Sequence, residues 1–351
     1  MAKLPKSVKD AAIIKWFKKN LIHQGKVRDT YEIDERRLLM VATDRISIFD
    51  FVLPALVPQK GEVLTALTHF WLKRKNIVGY HHLSEGYPSY AALSITHPYH
   101  DAHFPYSRAL VVGKQKVLPF EMIFRHHLGG SIYNNYQTTG LVAGSWVPPN
   151  IPKWHILNDP LFTPSTKSDK GHDVNISRLE FHNAAFKLWR GACVVASKAE
   201  KELKEAYKKA YRYASERGIL ILDTKFECAG TYRDEVVLVD EALTPDSSRF
   251  TTVEDWKAAM KEGRDPIFYD KEPVRQWGRG IETPLTDEKG HPVLGINNLN
   301  PENPDHVDFV HSLTIPQHII EETTKRYKQI FKMLVGMKLE DYQEKHILQN
   351  H

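Results

Sequence analysis

The chain has 351 residues, a formal net charge of +5, 42% hydrophobic residues and 26% charged residues. This length exceeds one typical core, so we expect at least two lobes. The mild positive charge suits an anionic small molecule as well as nucleic acid, and two cysteines argue against a disulfide scaffold. No apolar run approaches the roughly 18 residues of a membrane span, so the expected location is the cytoplasm.

The first predicted elements are a helix and a charged hairpin. Residues 7–22 place apolar side chains among lysines, which predicts a short amphipathic helix. Gly25-Lys-Val-Arg-Asp29 and the apolar run 38–42 then predict strand, tight turn, strand. The glycine lets backbone approach a ligand, and Lys26 and Arg28 would neutralise triphosphate oxygens. The alternative is an ordinary charged hairpin, because the Walker pattern is absent.

Polar residues follow the next apolar run. The segment 43–50 comes directly after a predicted buried strand, so it either lines a cleft or caps a helix. A helix with one apolar stripe is predicted over 62–75. Three histidines spaced three apart, between residues 97 and 103, invite a metal site. Neighbouring prolines break the helix that this spacing needs, which favours loop histidines.

Two strands and an anion-binding turn are predicted next. Residues 108–118 form a strand that leads to a crossing between lobes, and 119–125 form a second strand. A Gly-Gly-Ser turn then precedes a helix over 132–137. Free backbone N–H groups, the Ser131 hydroxyl and Arg125 would together bind an anion. The alternative is a capped helix with the serine as N-cap.

A long proline-rich segment and a helical stretch come next. Residues 144–176 are predicted to be loop, and Lys167 and Asp173 within it suit a polar ligand. A Ser-x-x-Glu capping box then opens a helical stretch over 177–217, with a break near Gly191.

A β-hairpin is predicted in the stretch that follows. The apolar runs Ile219–Leu222 and Val236–Val239 flank residues 229–234, which have turn composition. A turn centred near the end of that segment places Glu227 opposite Asp240. Two facing carboxylates repel unless a cation lies between them, and Mg²⁺ carrying phosphates is the natural candidate. The alternative is an exposed edge hairpin with solvated charges.

The last part of the chain carries weaker signals. Residues 250–315 are mixed and rich in proline and glycine, and Pro316 begins a final helix with one core-facing side. The +5 charge and the aromatic residues raise nucleic-acid binding as a hypothesis, but no basic helix or RNA-binding aromatic motif supports it.

A family resemblance emerges from the motifs taken together. In chain order they are Gly25–Asp29, Thr43–Asp50, Lys60–Thr65, Glu121-x-x-x-Arg125 with Ser131, Phe162–Lys167, Gly171-His-Asp173, Asp223-Thr-Lys-Phe-Glu227 and Asp240–Arg249. In this order and spacing they resemble the SAICAR synthetase family (phosphoribosylaminoimidazole-succinocarboxamide synthases) in its longer, eukaryote-like form. The resemblance runs from about residue 20 to the last helix.

The resemblance implies a fold and an activity. The fold is α+β and two-lobed, with ATP in the cleft. Residues 1–117 form an antiparallel-sheet lobe with the phosphate-binding hairpin, and 118–351 form a larger α/β lobe with the metal and ribonucleotide site and the C-terminal helix. The activity joins L-aspartate to the carboxylate of carboxyaminoimidazole ribonucleotide through an acyl phosphate, with ATP and Mg²⁺, in purine synthesis. The alternative is a small-molecule kinase; neither nucleic acid nor membrane is expected as a partner, and the oligomeric state is left open.

The resemblance also implies residue roles. The ATP-binding set is Gly25, Lys26, Arg28, Lys116 and Glu121. The Mg²⁺ ligands are Glu227 and Asp240, and the catalytic pair is Lys225 and Asp223. The ribonucleotide phosphate set is Arg125, Ser131 and Arg249, with Asp246 in the same loop as the last. The loop associated with aspartate and the imidazole carboxylate contains Lys167 and Asp173.

The chain departs from the family pattern in the central hairpin. Phe226-Glu-Cys-Ala-Gly230 carries one residue more than the usual Phe-Glu-Phe-Gly. An extra residue in a strand either reverses side-chain facing or requires a bulge. The departure follows Glu227, so the metal ligand is retained while the register toward Asp240 becomes uncertain.

Overall fold

The computed structural model describes residues 2–10, 14–89, 104–167, 174–286 and 290–347. Asp173 and the three histidines between 97 and 103 lie outside these ranges. The described elements are helices and antiparallel sheets, which confirms the predicted α+β class. None of the helices in the described part of the chain combines the length and apolarity needed to span a bilayer.

The first sheet has five antiparallel strands. In spatial order they are β1 (Leu21–Gln24), β2 (Arg28–Glu32), β3 (Arg37–Ala42), β7 (Ala109–Gly113) and β6 (Leu83–Gly86). The predicted strand, turn, strand is confirmed as β2 and β3. The predicted amphipathic helix over 7–22 is wrong in most of its length: residues 7–10 form turns, Lys15–Asn20 form a 3-10 helix, and the chain then enters β1, which pairs with β2. A separate hairpin joins β4 (Arg45–Ile48) and β5 (Phe51–Leu56).

The second sheet has seven strands arranged around β14 (Ile219–Gly230). Its other members are β8 (Lys116–Val117), β9 (Phe120–His127), β12 (Ile156–Phe162), β13 (Ser165–Thr166), β15 (Val236–Val239) and β16 (Ser248–Thr252). One edge of β14 pairs with β9 and β8, and the opposite edge pairs with β16 and β15. The long central strand therefore brings residues from four other strands to one surface.

The predicted loop over 144–176 is wrong in part, because β12 and β13 lie within it. A small hairpin pairs β10 (Leu141–Val142) with β11 (Ser145–Trp146), and β11 also lies within the predicted loop. Most residues of β12 are exposed or half-buried and do not alternate. A strand at the edge of a sheet with this pattern leaves no period-two signal in the sequence. A further hairpin pairs β17 (Glu282–Thr286) with β18 (Pro292–Leu294).

The described part of the chain contains ten α-helices. They are α1 (Lys60–Leu72), α2 (Lys75–Val78), α3 (Ser131–Thr139), α4 (Arg178–Phe186), α5 (Ala192–Ser215), α6 (Val253–Glu262), α7 (Glu272–Arg279), α8 (Pro304–Ser312), α9 (Gln317–Val335) and α10 (Leu339–Ile347). The predicted capping box opens α4, and the predicted break at Gly191 separates α4 from α5. Gly130 is the N-cap of α3, so the alternative role of Ser131 as N-cap is wrong.

One large apolar core connects the sheets with the long helices. It contains Trp71 of α1, Tyr207 of α5 and Phe331 of α9, together with Val112 of the first sheet and Phe226 of the second. All five side chains are nearly inaccessible to solvent. Burying large side chains of this kind contributes about 1.5–3 kcal/mol each, so the core fixes both sheets against shared helices.

A short segment also joins the two sheets directly. The N–H of His82 donates to the Leu238 carbonyl at 3.0 Å, and the N–H of Leu238 donates to the Tyr80 carbonyl at 2.9 Å. The His82 carbonyl in turn accepts from the N–H of Gly113 at 2.8 Å. Residues 80–82 therefore connect β7 of the first sheet to β15 of the second through main-chain hydrogen bonds.

Candidate active site

A cavity of about 1460 Å³ is lined by both sheets and contains most of the predicted site residues. Those that line it are Gly25, Lys26, Arg28, Glu121, Lys167, Lys225, Glu227, Asp240, Asp246 and Arg249. The sequence separates these residues by up to 224 positions, and the fold brings them to one surface.

The β14–β15 hairpin has a different register from the predicted one. Glu227 lies opposite Val239, so the predicted placement of Glu227 opposite Asp240 is wrong. The turn spans 231–235, closed by the Thr231 N–H on the Glu235 carbonyl at 3.0 Å, and is centred on Arg233, half a residue before the predicted centre. Residues 227–230 pair without interruption, so the extra residue at 228–229 makes no bulge there.

Glu227 and Asp240 nevertheless interact. Burial raises the pKa of Glu227, and the neighbouring Asp240 raises it further, while Lys167 opposes both. Asp240 comes directly after β15 with a left-handed φ of 59°, outside the regular alternation of the strand. The two carboxylates are therefore close enough to oppose each other's ionisation, although they are not cross-strand partners.

Each of these carboxylates has a cationic partner. The Lys167 Nζ lies 2.6 Å from a Glu227 oxygen. Arg28 forms an ion pair with Asp240, and its other nitrogen lies 3.4 Å from Glu241. Burial disfavours the ionised form of Asp240, but Arg28 together with Lys167 and Lys225 outweighs it and holds the pKa of this carboxyl below its usual range. The site thus balances negative charge from 227, 240 and 241 with nearby cations.

Lys225 is the cation at the centre of the site. It forms an ion pair with Glu121, which also accepts a hydrogen bond from the Ser165 hydroxyl at 3.0 Å. Burial lowers the pKa of Lys225, but Glu121 and Glu227 outweigh it and the net shift is upward. The ammonium therefore stays protonated at neutral pH. It suits stabilisation of negative charge and does not suit proton abstraction.

Arg125 and Asp223 form a support behind the cavity. They are register partners on β9 and β14, and the Arg125 Nη1 lies 2.7 Å from Asp223. The Nε of Arg125 donates to the Thr163 hydroxyl at 3.0 Å. Asp223 also faces Arg249, with the closest nitrogen 3.4 Å away. Both members of the 125–223 pair are buried, and the guanidinium of Arg249 reaches the cavity in front of them.

A buried charge cluster is centred on Asp246 in the cavity wall. Asp246 accepts from the Lys60 Nζ and from the Tyr327 hydroxyl, each at 2.6 Å. Burial disfavours ionisation of Asp246, but Lys60 and Lys271 outweigh it and lower its pKa. Burial lowers the pKa of Lys271 to about 8, although Asp246 opposes this shift. Lys271 is therefore a cation that loses its charge near physiological pH.

The sequence reasoning gave no role to several of these residues. Lys271 and Arg275 line the cavity from the start of α7, and Glu241 lines it beside Asp240. The four-residue spacing of Lys271 and Arg275 places them on one face of a helix, which was an available signal. Lys60 lies in a motif, but its burial depends on α1 packing against α9, and the motif does not reveal this.

Residues 21–292 match the model of one protein family, SAICAR synthetase. The chain belongs to the SAICAR synthetase family. A phosphoribosylaminoimidazole-succinocarboxamide synthase of Thermodesulfovibrio yellowstonii is 36% identical over 328 residues, which cover 90% of this chain and 95% of the relative. The corresponding synthase of Saccharomyces cerevisiae is 35% identical over 326 residues, covering 91% and 95%.

Solved structures agree. The SAICAR synthase of Saccharomyces cerevisiae complexed with SAICAR superposes with a TM-score of 0.70 at 32% identity, covering 91% of this chain and 95% of that one. The SAICAR synthetase fold and the family predicted from motif order are thereby confirmed. The protein is an ATP-dependent carboxylate–amine ligase of purine biosynthesis. Its family membership does not favour the kinase alternative.

Four other residues predicted from the sequence each have their own environment: Gly25, Lys26, Lys116 and Ser131. A Cβ at Gly25 would stand 2.7 Å from the Arg28 carbonyl, so the tight β1–β2 turn excludes a side chain there. Lys26 pairs with Asp50 at 2.5 Å. Lys116 is exposed, with its ammonium 4.3 Å from the Trp189 ring centroid, and does not line the cavity. Ser131 is the first residue of α3, directly after Gly130, which lines the cavity.

Proposed function

We propose that this ligase activates the carboxylate of carboxyaminoimidazole ribonucleotide as an acyl phosphate and then joins it to L-aspartate. In the first step a carboxylate oxygen attacks the γ-phosphorus of ATP, and ADP leaves. In the second step the aspartate amine attacks the acyl carbon, inorganic phosphate leaves, and the amine loses a proton. The meeting of phosphate-binding cations, paired carboxylates and Lys225 in one cavity carries the proposal.

Lys26 and Arg28 bind the triphosphate of ATP at the β1–β2 turn. Lys26 is half-exposed and paired with Asp50, so phosphate oxygens would replace a carboxylate as its partner. Arg28 bridges this turn to Asp240. Charge-assisted hydrogen bonds from both side chains fix the position of the phosphates. Glu121 and Lys116 remain proposals for the adenosine side, and the cavity supports the former.

Glu227 and Asp240 fit the requirements of Mg²⁺. They are two hard-oxygen donors on one cavity wall, and they are coupled electrostatically. Within the described ranges, no group of three or more His, Cys, Asp or Glu side chains is arranged to hold a metal ion. This matches an ion that takes one or two carboxylates and completes its shell with phosphate and water. When bound, it would neutralise phosphate charge during transfer.

Lys225 and Asp223 act from the central strand. Lys225 stays protonated beside Glu227, so it stabilises charge that develops on the transferred phosphoryl group. Asp223 touches Arg125 and Arg249 from behind the wall, so it orients guanidinium groups and does not contact the reacting atoms itself. Both roles depend on a rigid strand, which holds side chains more accurately than a loop.

The ribonucleotide phosphate binds at Arg249 and the start of α3. The first N–H groups of a helix point outward and favour an anion, and Gly130 and Arg249 line the cavity together. Asp246 lies in the same loop, held by Lys60. Lys167 and Asp173 are proposed for the aspartate and imidazole carboxylates, supported for Lys167 by its place on the cavity wall.

An assay of phosphate release with each substrate omitted in turn tests the proposal. We expect release from ATP only when both L-aspartate and the carboxylated ribonucleotide are present, with one amide formed for each phosphate. Release that is indifferent to either substrate would contradict the ligase mechanism. A stable phosphorylated product without amide would support the kinase alternative instead.

We also propose lobe boundaries and a location. A division into 1–117 and 118–351 is supported by the first sheet, whose strands all lie between residues 21 and 113. A cytoplasmic location is supported by Cys193 and Cys228, which are both free thiols.

A further inference from the structure

Trp154 lines the same cavity as Arg249, although it belongs to none of the motifs that carry the family resemblance. We propose that Trp154 is a positioning residue that fixes the guanidinium of Arg249 and closes the ribonucleotide-phosphate end of the cavity. This inference rests on the proposed role of Arg249 in phosphate binding.

The indole ring and the guanidinium lie side by side against two consecutive glycines. The Cζ of Arg249 is 5.4 Å from the centroid of the Trp154 ring, within the range of a cation–π contact. A Cβ at Gly129 would stand 2.1 Å from the indole, and a Cβ at Gly130 would stand 2.4 Å from the Arg249 Nη1. The two glycines therefore provide the space that brings ring and guanidinium together.

The backbone holds Trp154 in a conformation that bulky residues rarely adopt. Its φ is 63°, in the left-handed region. Its N–H donates to the Leu128 carbonyl at 2.7 Å, and its own carbonyl accepts from the Trp256 Nε1 at 2.9 Å. The N–H of Leu128 also donates to the His155 carbonyl at 3.1 Å. Such a conformation persists where the surroundings over-determine it, commonly at ligand sites.

The side chain is held as firmly as the backbone. The indole Nε1 donates to Asp265 at 2.7 Å, and Asp265 also pairs with Lys153 at 2.7 Å. The ring packs on Phe268, with centroids 5.0 Å apart. The partners at 256, 265 and 268 all follow β16, the strand that carries Arg249. One continuous segment therefore presents the arginine and locks the ring beside it.

This arrangement has a specific consequence for binding. The Arg249 side chain is 20% exposed, and its ion-pair partner Asp223 is 3.4 Å away. This is its one ion pair among the residues that the structure describes; one such pair leaves a long side chain freedom to move, and the flat indole face restricts it. Bidentate recognition of phosphate needs the guanidinium in one orientation. Loss of the ring should therefore weaken ribonucleotide binding and leave the ATP end of the cavity unaffected.

Steady-state kinetics of Trp154→Leu and Trp154→Phe test this inference. Trp154→Leu keeps apolar volume but removes the aromatic face, so we expect KM for the ribonucleotide to rise about tenfold. We expect kcat and KM for ATP and L-aspartate to change less than about twofold. Trp154→Phe keeps a ring beside Arg249 and should restore KM to within about threefold of the wild type. The control is Trp146→Leu, since Trp146 is 72% exposed.

Gly129→Ala provides a second route to the same displacement, because its new methyl group occupies the position of the indole. It should raise the same KM while every side chain that lines the cavity keeps its chemical identity, and it decides the matter if Trp154→Leu does not fold. An unchanged KM, or an equal rise in all three KM values, would overturn the positioning role. A wild-type protein that forms no amide would instead overturn the proposed function, so the two failures are distinguishable.

Discussion

The substitution Asp246→Asn tests the energetics of the buried charge cluster. The Lys60 side chain is fully buried and the Asp246 side chain is 3% exposed, with nitrogen and oxygen 2.6 Å apart. Asparagine can still accept from the Tyr327 hydroxyl, but it leaves the ammonium of Lys60 without a countercharge. Removing one member of a buried ion pair costs about 3–5 kcal/mol. We expect the free energy of unfolding to fall by that amount.

Urea denaturation followed by tryptophan fluorescence and circular dichroism measures this change. The double variant Lys60→Met/Asp246→Asn also removes the unpaired ammonium of Lys60, so it should be more stable than Asp246→Asn alone. Asp159→Asn is the control: its exposed pair with Lys204 should contribute only about 0–1 kcal/mol. A loss below about 1 kcal/mol for Asp246→Asn, or strict additivity in the double variant, would refute the reasoning.

Acid unfolding gives an independent check on the same carboxyl. The folded protein holds the pKa of Asp246 below its ordinary value, chiefly because Lys60 and Lys271 outweigh the effect of burial. Its contribution to stability is therefore present above an unfolded pKa of about 3.9 and is lost as pH falls below that value. The wild type should lose stability more steeply than Asp246→Asn between about pH 4 and pH 2. Parallel curves would contradict this assignment.

Three further predictions concern the cavity and the central strand. Glu227→Gln should lower kcat about 10²–10³-fold with an unchanged circular dichroism spectrum. Glu235→Gln, in the exposed turn, is the control and should retain normal turnover. A near-normal kcat for Glu227→Gln would show that Glu227 is not a metal ligand. Burial lowers the pKa of Lys271 to about 8, so KM for the ribonucleotide should rise as the pH increases above about 8. In Lys271→Arg the pH profile of KM should lack this rise, because arginine stays charged. Burial raises the pKa of the Cys228 thiol to about 12, so mass spectrometry should detect iodoacetamide on Cys228 only after unfolding; labelling in the native state would disprove its protection.

The central hairpin shows what sequence can and cannot predict. Two apolar runs and a polar break predicted the antiparallel pair β14–β15, because a short continuous apolar run is consistent with a strand that is buried on both faces. The register was one residue off, since it depends on the length of the turn at 231–235. The charged residues that follow β15 correctly predicted that Asp240 lies close to Glu227. The left-handed φ of Asp240 was not predicted by any local sequence pattern.

Other features required tertiary information. The pairing of Arg125 with Asp223 follows from the register between β9 and β14, 98 positions apart in sequence. The strand β12 escaped prediction because its side chains are mostly exposed and do not alternate. Trp154 lay in a segment predicted as loop. Its closeness to Gly129 and its hydrogen bond to Asp265 are tertiary features, which no local pattern in the sequence reveals. The motifs thus identified many of the residues that line the cavity, and packing identified those that hold them.

The segment at 80–82 joins the two sheets through main-chain atoms. Its three hydrogen bonds to Leu238 and Gly113 connect β15 with β7. At about 0.5–1.5 kcal/mol net for each bond, separation there would cost roughly 1.5–4.5 kcal/mol before any apolar surface is exposed. Because every donor and acceptor in this connection is a main-chain atom, the spacing of the two sheets at this point does not depend on the side chains of the segment.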